Sequence, residues 1–167
     1  MQKMSEHNIK WYEDDNLTIF FSEAPKVSVR YIVPSMTSLE KQSIKRYPFI
    51  NKKDLKVAIF DSKKEKCYKF TIHKDYVFDG ATIPRFFWRI IGSPTDNNFL
   101  ISSLCHDVLC ENHSYIDNDR QLSSNVFRAL LIAAGVSGLK ANIMFFAVDN
   151  FQRFCGWERD KQSKKVS

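Results

Sequence analysis

The feature that most constrains this chain is a change of period at Asp79–Gly80. Before it, apolar residues recur at every second position. Val27, Val29, Tyr31 and Val33 alternate with Ser28, Arg30 and Ile32, and Tyr68, Phe70 and Ile72 share one face, with Cys67 in the same run. That spacing is the signature of strands with one buried face. Leu17–Phe21 is a further β-rich run. Leu55–Phe60 and Lys66–Ile72 flank the polar stretch Asp61–Glu65, which has the length of a hairpin connection. The stretch from Ser35 to Asn51 is compatible with a short helix or a long loop.

After Gly80 the period becomes helical. Pro84 suits the first turn of a helix through Ile91, and Gly92 suits its end. A second helix is expected from near Asn97 to Glu111. A third begins around Asp117–Asp119, where carboxylates favour a helix N-terminus, and ends at Gly135. A fourth follows Ser137–Gly138 and places Leu139, Ile143, Phe146, Ala147 and Phe151 on one stripe. The expected fold is therefore α+β: an N-terminal antiparallel β-sheet packed against a C-terminal bundle of three to four helices. One domain over residues 1–160 carries it, and 161–167 form a basic tail.

Composition removes several function classes. With 44% hydrophobic residues and fourteen phenylalanines among 167 residues, the chain can fill a core, so disorder is excluded. The longest apolar stretches, near 129–134 and 143–148, are too short to span a membrane. The net charge of +6 lies largely in Lys52–Lys53, Lys63–Lys64 and the tail lysines Lys161, Lys164 and Lys165. Dispersed runs of this kind are solvated faces, and they argue against a nucleic-acid groove. Cys67, Cys105, Cys110 and Cys155 form no CxxC pair, and no apolar leader follows Met1, so reduced and mostly buried thiols in a cytoplasmic protein are expected.

One locus carries chemistry. On a helical wheel Leu100, Ile101, Leu104, Cys105, Val108 and Leu109 fill one half of the second helix, and Ser103, His106, Asp107 and Cys110 lie in the other. His106 thus sits off the apolar stripe, facing a cleft, solvent or a neighbouring element. A His–Asp pair can act as a general base beside a cation-holding carboxylate, as two metal ligands, or as a structural hydrogen-bonding pair. His106, Cys110 and His113 also fall at i, i+4 and i+7, which would suit Zn²⁺ if the helix reaches His113.

The order of motifs extends the argument. Asp79-Gly80-Ala81-Thr82-Ile83-Pro84-Arg85 is followed by His106-Asp107-Val108-Leu109, by Arg120 with Phe127, and by an aromatic helix ending near Trp157. Over residues 66–157 this series resembles DUF1353, a family of phage and prophage proteins of uncharacterised function. That family reads as a D-G-A-S-I-P-R turn, an H-D-x-L-Y helix, an R-x-x-A-D-x-x-F helix and a final aromatic helix. The H-D-x-L-Y helix in turn looks like the active-site pattern of secreted-type and parvoviral phospholipases A2. That resemblance implies His106 as the base that activates water and Asp107 as a Ca²⁺ ligand, with the Asp79–Gly80 turn as a backbone loop near the ion. In that pattern a Tyr and a second-helix Asp orient the His. This chain has Cys110 at the Tyr position and Ser123–Ser124 at the A-D position. Asp117, Asp119 and Asn125 are the nearby substitutes for the missing carboxylate.

Against these stand plainer expectations. Asp79 caps the turn before Pro84, and Arg85 pairs with Asp79 or Asp107. Phe86, Phe87, Trp88, Phe145, Phe146, Phe151 and Phe154 fill the core, and Trp157 seals its edge. His7, His73 and His113 have no evident local partner. The resemblance implies a phage or prophage accessory protein, virion-associated or made in the host cytoplasm, that binds other virion proteins or a host protein and keeps a degenerate His–Asp site as structure. The alternative is a small metal-dependent hydrolase using Ca²⁺ or Zn²⁺, with phospholipid as its partner. Arg120 and Arg85 are supporting residues in either case.

Overall fold

The protein is described by a computed structural model covering residues 8–80 and 97–157, without the side chains of 97–99 and 155–156. Its strands are β1 (Ile9–Glu13), β2 (Leu17–Phe21), β3 (Val27–Val29), β4 (Phe49–Asn51), β5 (Leu55–Asp61), β6 (Lys66–Ile72) and β7 (Val77–Phe78). Helix α1 (Ser38–Arg46) interrupts them, and α2 (Asn97–Glu111), α3 (Arg120–Ala133) and α4 (Gly138–Phe151) follow. The α+β class stands, with sheets first and helices after. The helix expected at Pro84–Ile91, and Arg85 within it, lie outside the described residues.

The strands form two antiparallel sheets where one was expected. The first has the order β1-β2-β5-β6, and the second β3-β4-β7. In the first, β5 and β6 pair in register from Leu55 opposite Ile72 to Asp61 opposite Lys66. Alternation then puts Leu55, Val57 and Ile59 with Tyr68, Phe70 and Ile72 in the core. Asn51 ties the sheets together. Its fully buried amide donates to the carbonyls of Lys53 and His73, at 2.7 and 3.0 Å, so a polar side chain replaces strand pairing where the chain passes from β4 to β5.

Helix α1 resolves the ambiguous stretch. Thr37 caps it by accepting from the Glu40 amide, while the Glu40 carboxylate accepts from the Thr37 amide. This is a reciprocal capping box, and Thr37-Ser38-Leu39-Glu40 spells it in the sequence. The strand expected over Val27–Val33 stops at Val29, and Tyr31, Ile32 and Val33 are exposed ahead of Pro34.

The main core is built from both sheets together with α2 and α3. A second cluster, of Phe127, Leu131, Ala141, Met144 and Val148, glues α4 to α3. Lys64 and Lys66 of the β5–β6 hairpin form ion pairs with Asp119 and Asp117, pinning the hairpin to the start of α3. No helix among the described residues is long and apolar enough to cross a membrane.

Candidate functional site

Helix α2 carries the site, and its position explains its composition. It lies between the sheets and α3, so it is covered on nearly every side. From Leu100 to Cys110 every residue except Asp107 is buried. A helix covered all round needs apolar or small side chains all round, and Ser102, Ser103, Cys105 and Cys110 supply the small ones.

Of the three environments open to His106, the structure selects the neighbouring element. Its ring has no exposed surface and packs tilted on Phe127 of α3, with centroids 5.3 Å apart. The Cys110 thiol lies 3.6 Å from each ring nitrogen. Burial pushes the imidazole pKa down to about 3, because the charged form would lose its hydration. His106 is therefore neutral throughout the physiological range. The same burial raises the Cys105 thiol to about 12, which keeps it protonated and unreactive.

Asp107 points away from this packed side and is half-buried. Near it stands Tyr76, which was not singled out in the sequence. The Tyr76 hydroxyl donates to Glu111 at 2.5 Å. Burial first, and then the nearby charges of Glu111 and Asp107, hold the phenol protonated far above its usual range. Cys110 also contributes to that environment. A tyrosine thus reaches the end of α2 from just before β7, although position 110 itself is a cysteine. Only its place in the fold reveals it, since Tyr76 lies 34 residues before Cys110 in the chain.

Asp79 and Gly80 follow β7 directly. Gly80 has φ +67°, and a Cβ there would come 2.8 Å from the Phe49 ring. The close backbone approach anticipated at this turn is therefore to an aromatic ring of β4.

The second helix of the motif is anchored elsewhere. Arg120 pairs with Asp149 of α4 and also donates to the Asp149 carbonyl at 3.2 Å. Ser124, at the position where the family pattern has Asp, donates to the same Asp149 carboxylate at 2.9 Å. A carboxylate does reach this point, then, but it comes from α4. The three substitutes considered from sequence are used differently. Asp119 caps α3 by accepting from the Leu122 amide, Asp117 pairs with Lys66, and Asn125 lines a surface cavity of about 180 Å³. That cavity is bordered by Asp14, Asp61, Lys63 and Arg128, and among the described residues none of α2 contributes to its wall.

The zinc arrangement is not assembled. Helix α2 ends at Glu111, and His113 opens a separate 3-10 turn, His113–Ile116. Its ring stacks on Trp157 at 3.5 Å between centroids, so the i+7 position leaves the helical face. Among the described residues no group of three His, Cys, Asp or Glu side chains is placed to hold a metal. Trp157 does close an edge of the core, with His113 as its partner. Cys105 and Cys110 are buried, as expected of most of the thiols, while Cys67 on β6 is exposed. Another expectation is corrected: Phe146 and Phe151 are exposed, because α4 turns Ala141, Met144 and Val148 towards α3, and Phe154 is exposed in the π-helical turn Gln152–Gly156 that follows α4.

The family model for "Protein of unknown function (DUF1353)" matches residues 55–148, more than half of the chain. The chain belongs to the DUF1353 family. The matched span opens at β5 and closes within α4, so it takes in the hairpin, α2, α3 and the Asp79–Gly80 turn. Two curated relatives come from Sinorhizobium fredii (strain NBRC 101917 / NGR234). The uncharacterized protein y4jT is 40% identical over 73 residues, which is 44% of this chain and 21% of y4jT. The uncharacterized protein y4iH is 29% identical over 79 residues, covering 47% of this chain and 32% of y4iH. The matched stretch thus spans a third or less of the length of these relatives. No solved structure matches.

Proposed function

We propose that this DUF1353 protein works by binding other proteins, as an accessory component of a phage or prophage, and that its His106–Asp107 helix serves as structure. The supporting observation is a contrast between two helices. On α2 the chemically able side chain, His106, is sealed against Phe127 and Cys110. On α4 and the turn that follows it large apolar side chains stand in solvent, with Leu139 74%, Phe146 62% and Phe154 77% exposed. A general base must come within hydrogen-bond reach of the proton it takes, directly or through a water. An exposed apolar row is the ordinary mark of a surface that another molecule covers.

The second reading is a Ca²⁺-dependent, phospholipase-like hydrolase. What favours it is the half-buried Asp107 with Tyr76 beside it at the end of α2. The two readings separate in one assay. The purified protein is given mixed phospholipid vesicles with Ca²⁺, alongside His106→Ala and the double variant Cys110→Tyr, Ser124→Asp. The interaction reading expects no turnover from the unmodified chain, and hydrolysis confined to the double variant would mark a degenerate site. Hydrolysis by the unmodified protein that disappears in His106→Ala would overturn it. Stoichiometric presence of the protein in purified particles would support the virion role.

A further inference from the structure

We infer that the excursion between β3 and β4 is a docking site for an anionic phospholipid surface. This goes beyond the interaction reading above and does not depend on it. Between Arg30 and Thr37 the chain forms no strand or helix, and Tyr31, Ile32, Val33 and Pro34 follow one another in solvent. Tyr31 is 76% exposed, and Leu39, in the first turn of α1, is 78% exposed. The segment is nevertheless held in place. The Arg30 guanidinium donates to the carbonyls of Ser43 and Tyr47, at 3.4 and 2.9 Å, and the Lys41 ammonium donates to the Pro34 carbonyl at 3.4 Å. The Met36 amide closes a turn onto the Val33 carbonyl at 3.1 Å. A braced backbone thus presents these apolar side chains to solvent.

Shape and charge together select the occupant. Consecutive side chains leave an extended backbone in different directions, so three exposed in a row mean that the segment stands clear on more than one side. A rigid protein surface covers one side of such a tip, whereas fluid headgroups and acyl chains surround it. From Lys26 to Lys52 six lysines and arginines stand against one acid, Glu40, whose carboxylate already accepts from the Thr37 amide. Among the described residues none of the six is in an ion pair. Arg30 and Lys41 bond neutral carbonyls, and the Arg46 guanidinium lies over the Tyr47 ring. Leu39, Gln42, Lys45 and Arg46 are exposed on the side of α1 turned away from the buried Ile44. Two cations without an acid partner therefore lie about 10 Å along the helix from the apolar tip, at 1.5 Å per residue. Apolar insertion and basic side chains are each weak signals for a membrane surface, and anionic lipid answers both. The aliphatic Ile32, Val33 and Leu39 offer no ring on which a base could stack, which disfavours single-stranded nucleic acid.

The test measures partition of the whole chain onto sedimenting vesicles, with EDTA present so that no Ca²⁺-dependent step contributes. Vesicles of phosphatidylcholine alone are compared with vesicles that also contain phosphatidylserine. Partition onto the second should be stronger by roughly tenfold or more, and added salt should weaken it. Tyr31→Ser with Leu39→Ser, and separately Lys45→Gln with Arg46→Gln, should each lose most of that difference. All four side chains are exposed, circular dichroism checks the fold, and Ile32→Ser serves as a second apolar variant. Phe146→Ser, on the outward side of α4, should bind like the wild type. Equal partition onto both vesicles, or none onto either, would overturn the inference. So would binding that survives both double variants, or that is lost in Phe146→Ser. Self-association, or binding of a single-stranded oligonucleotide, that vanishes in the double variants while vesicles stay unbound would instead assign the site to a second copy or to nucleic acid. None of these outcomes touches the protein-binding reading of α4.

Discussion

At Gly80 the backbone adopts φ +67° and passes against the face of Phe49, so no side chain fits there without moving the ring. Gly80→Ala should therefore cost about 1–3 kcal/mol, the usual scale for a strained non-glycine residue with a close contact. Urea unfolding would measure it, and an unchanged midpoint would show that the ring simply moves aside. His106 illustrates a different residue-scale effect. Its folded pKa is lowered to about 3, while the unfolded chain should titrate near 6.5. The unfolded state therefore binds the extra proton first. The contribution of the neutral ring is complete above the unfolded value and is lost as pH falls through the window between 6.5 and 3. Sequence spacing correctly separated His106 from the apolar stripe. It could not show that α3 covers the opposite side as well, since that depends on packing between elements distant in the chain.

At the scale of elements, the long periodic segments were legible and the short or doubly covered ones were not. Leu17–Phe21, Lys66–Ile72 and Asn97–Glu111 have the bounds that their patterns imply, because one buried face or a strong helical run dictates each. Strands β4 and β7 have three and two residues, too few to display a period. The capping box of α1 was present in the sequence as T-S-L-E and is the signal that identifies that helix. Helix α4 was located correctly, but its orientation was reversed. Both of its faces are apolar, so hydrophobicity alone does not say which one meets α3. The junction of α3 and α4 is set instead by Arg120, Ser124 and Asp149. A double-mutant cycle between Arg120→Ala and Asp149→Ala should return a coupling of roughly 1–2 kcal/mol, as this pair is only partly exposed. Additive losses would mean that the pair does not hold α4 in place.

For the whole molecule, the important point is where the two cores meet. Leu104, Cys105 and Val108 of α2 belong to the core shared with both sheets, whereas Phe127 belongs to the cluster that holds α4. His106 is the α2 residue whose ring lies against Phe127. His106 thereby couples the sheet-and-α2 core to the cluster that holds the outer helix α4, and it acts through this packing. The most direct test is urea unfolding of the wild type and His106→Ala side by side from pH 8 down to pH 4. At pH 8 the variant should be less stable by roughly 2–4 kcal/mol, the scale of truncating a large buried ring. Both proteins should unfold in a single transition. As pH falls below about 6.5 the gap should narrow, because only the wild type carries a histidine that must stay neutral to remain folded. A variant as stable as the wild type at pH 8, with parallel pH profiles, would contradict the account.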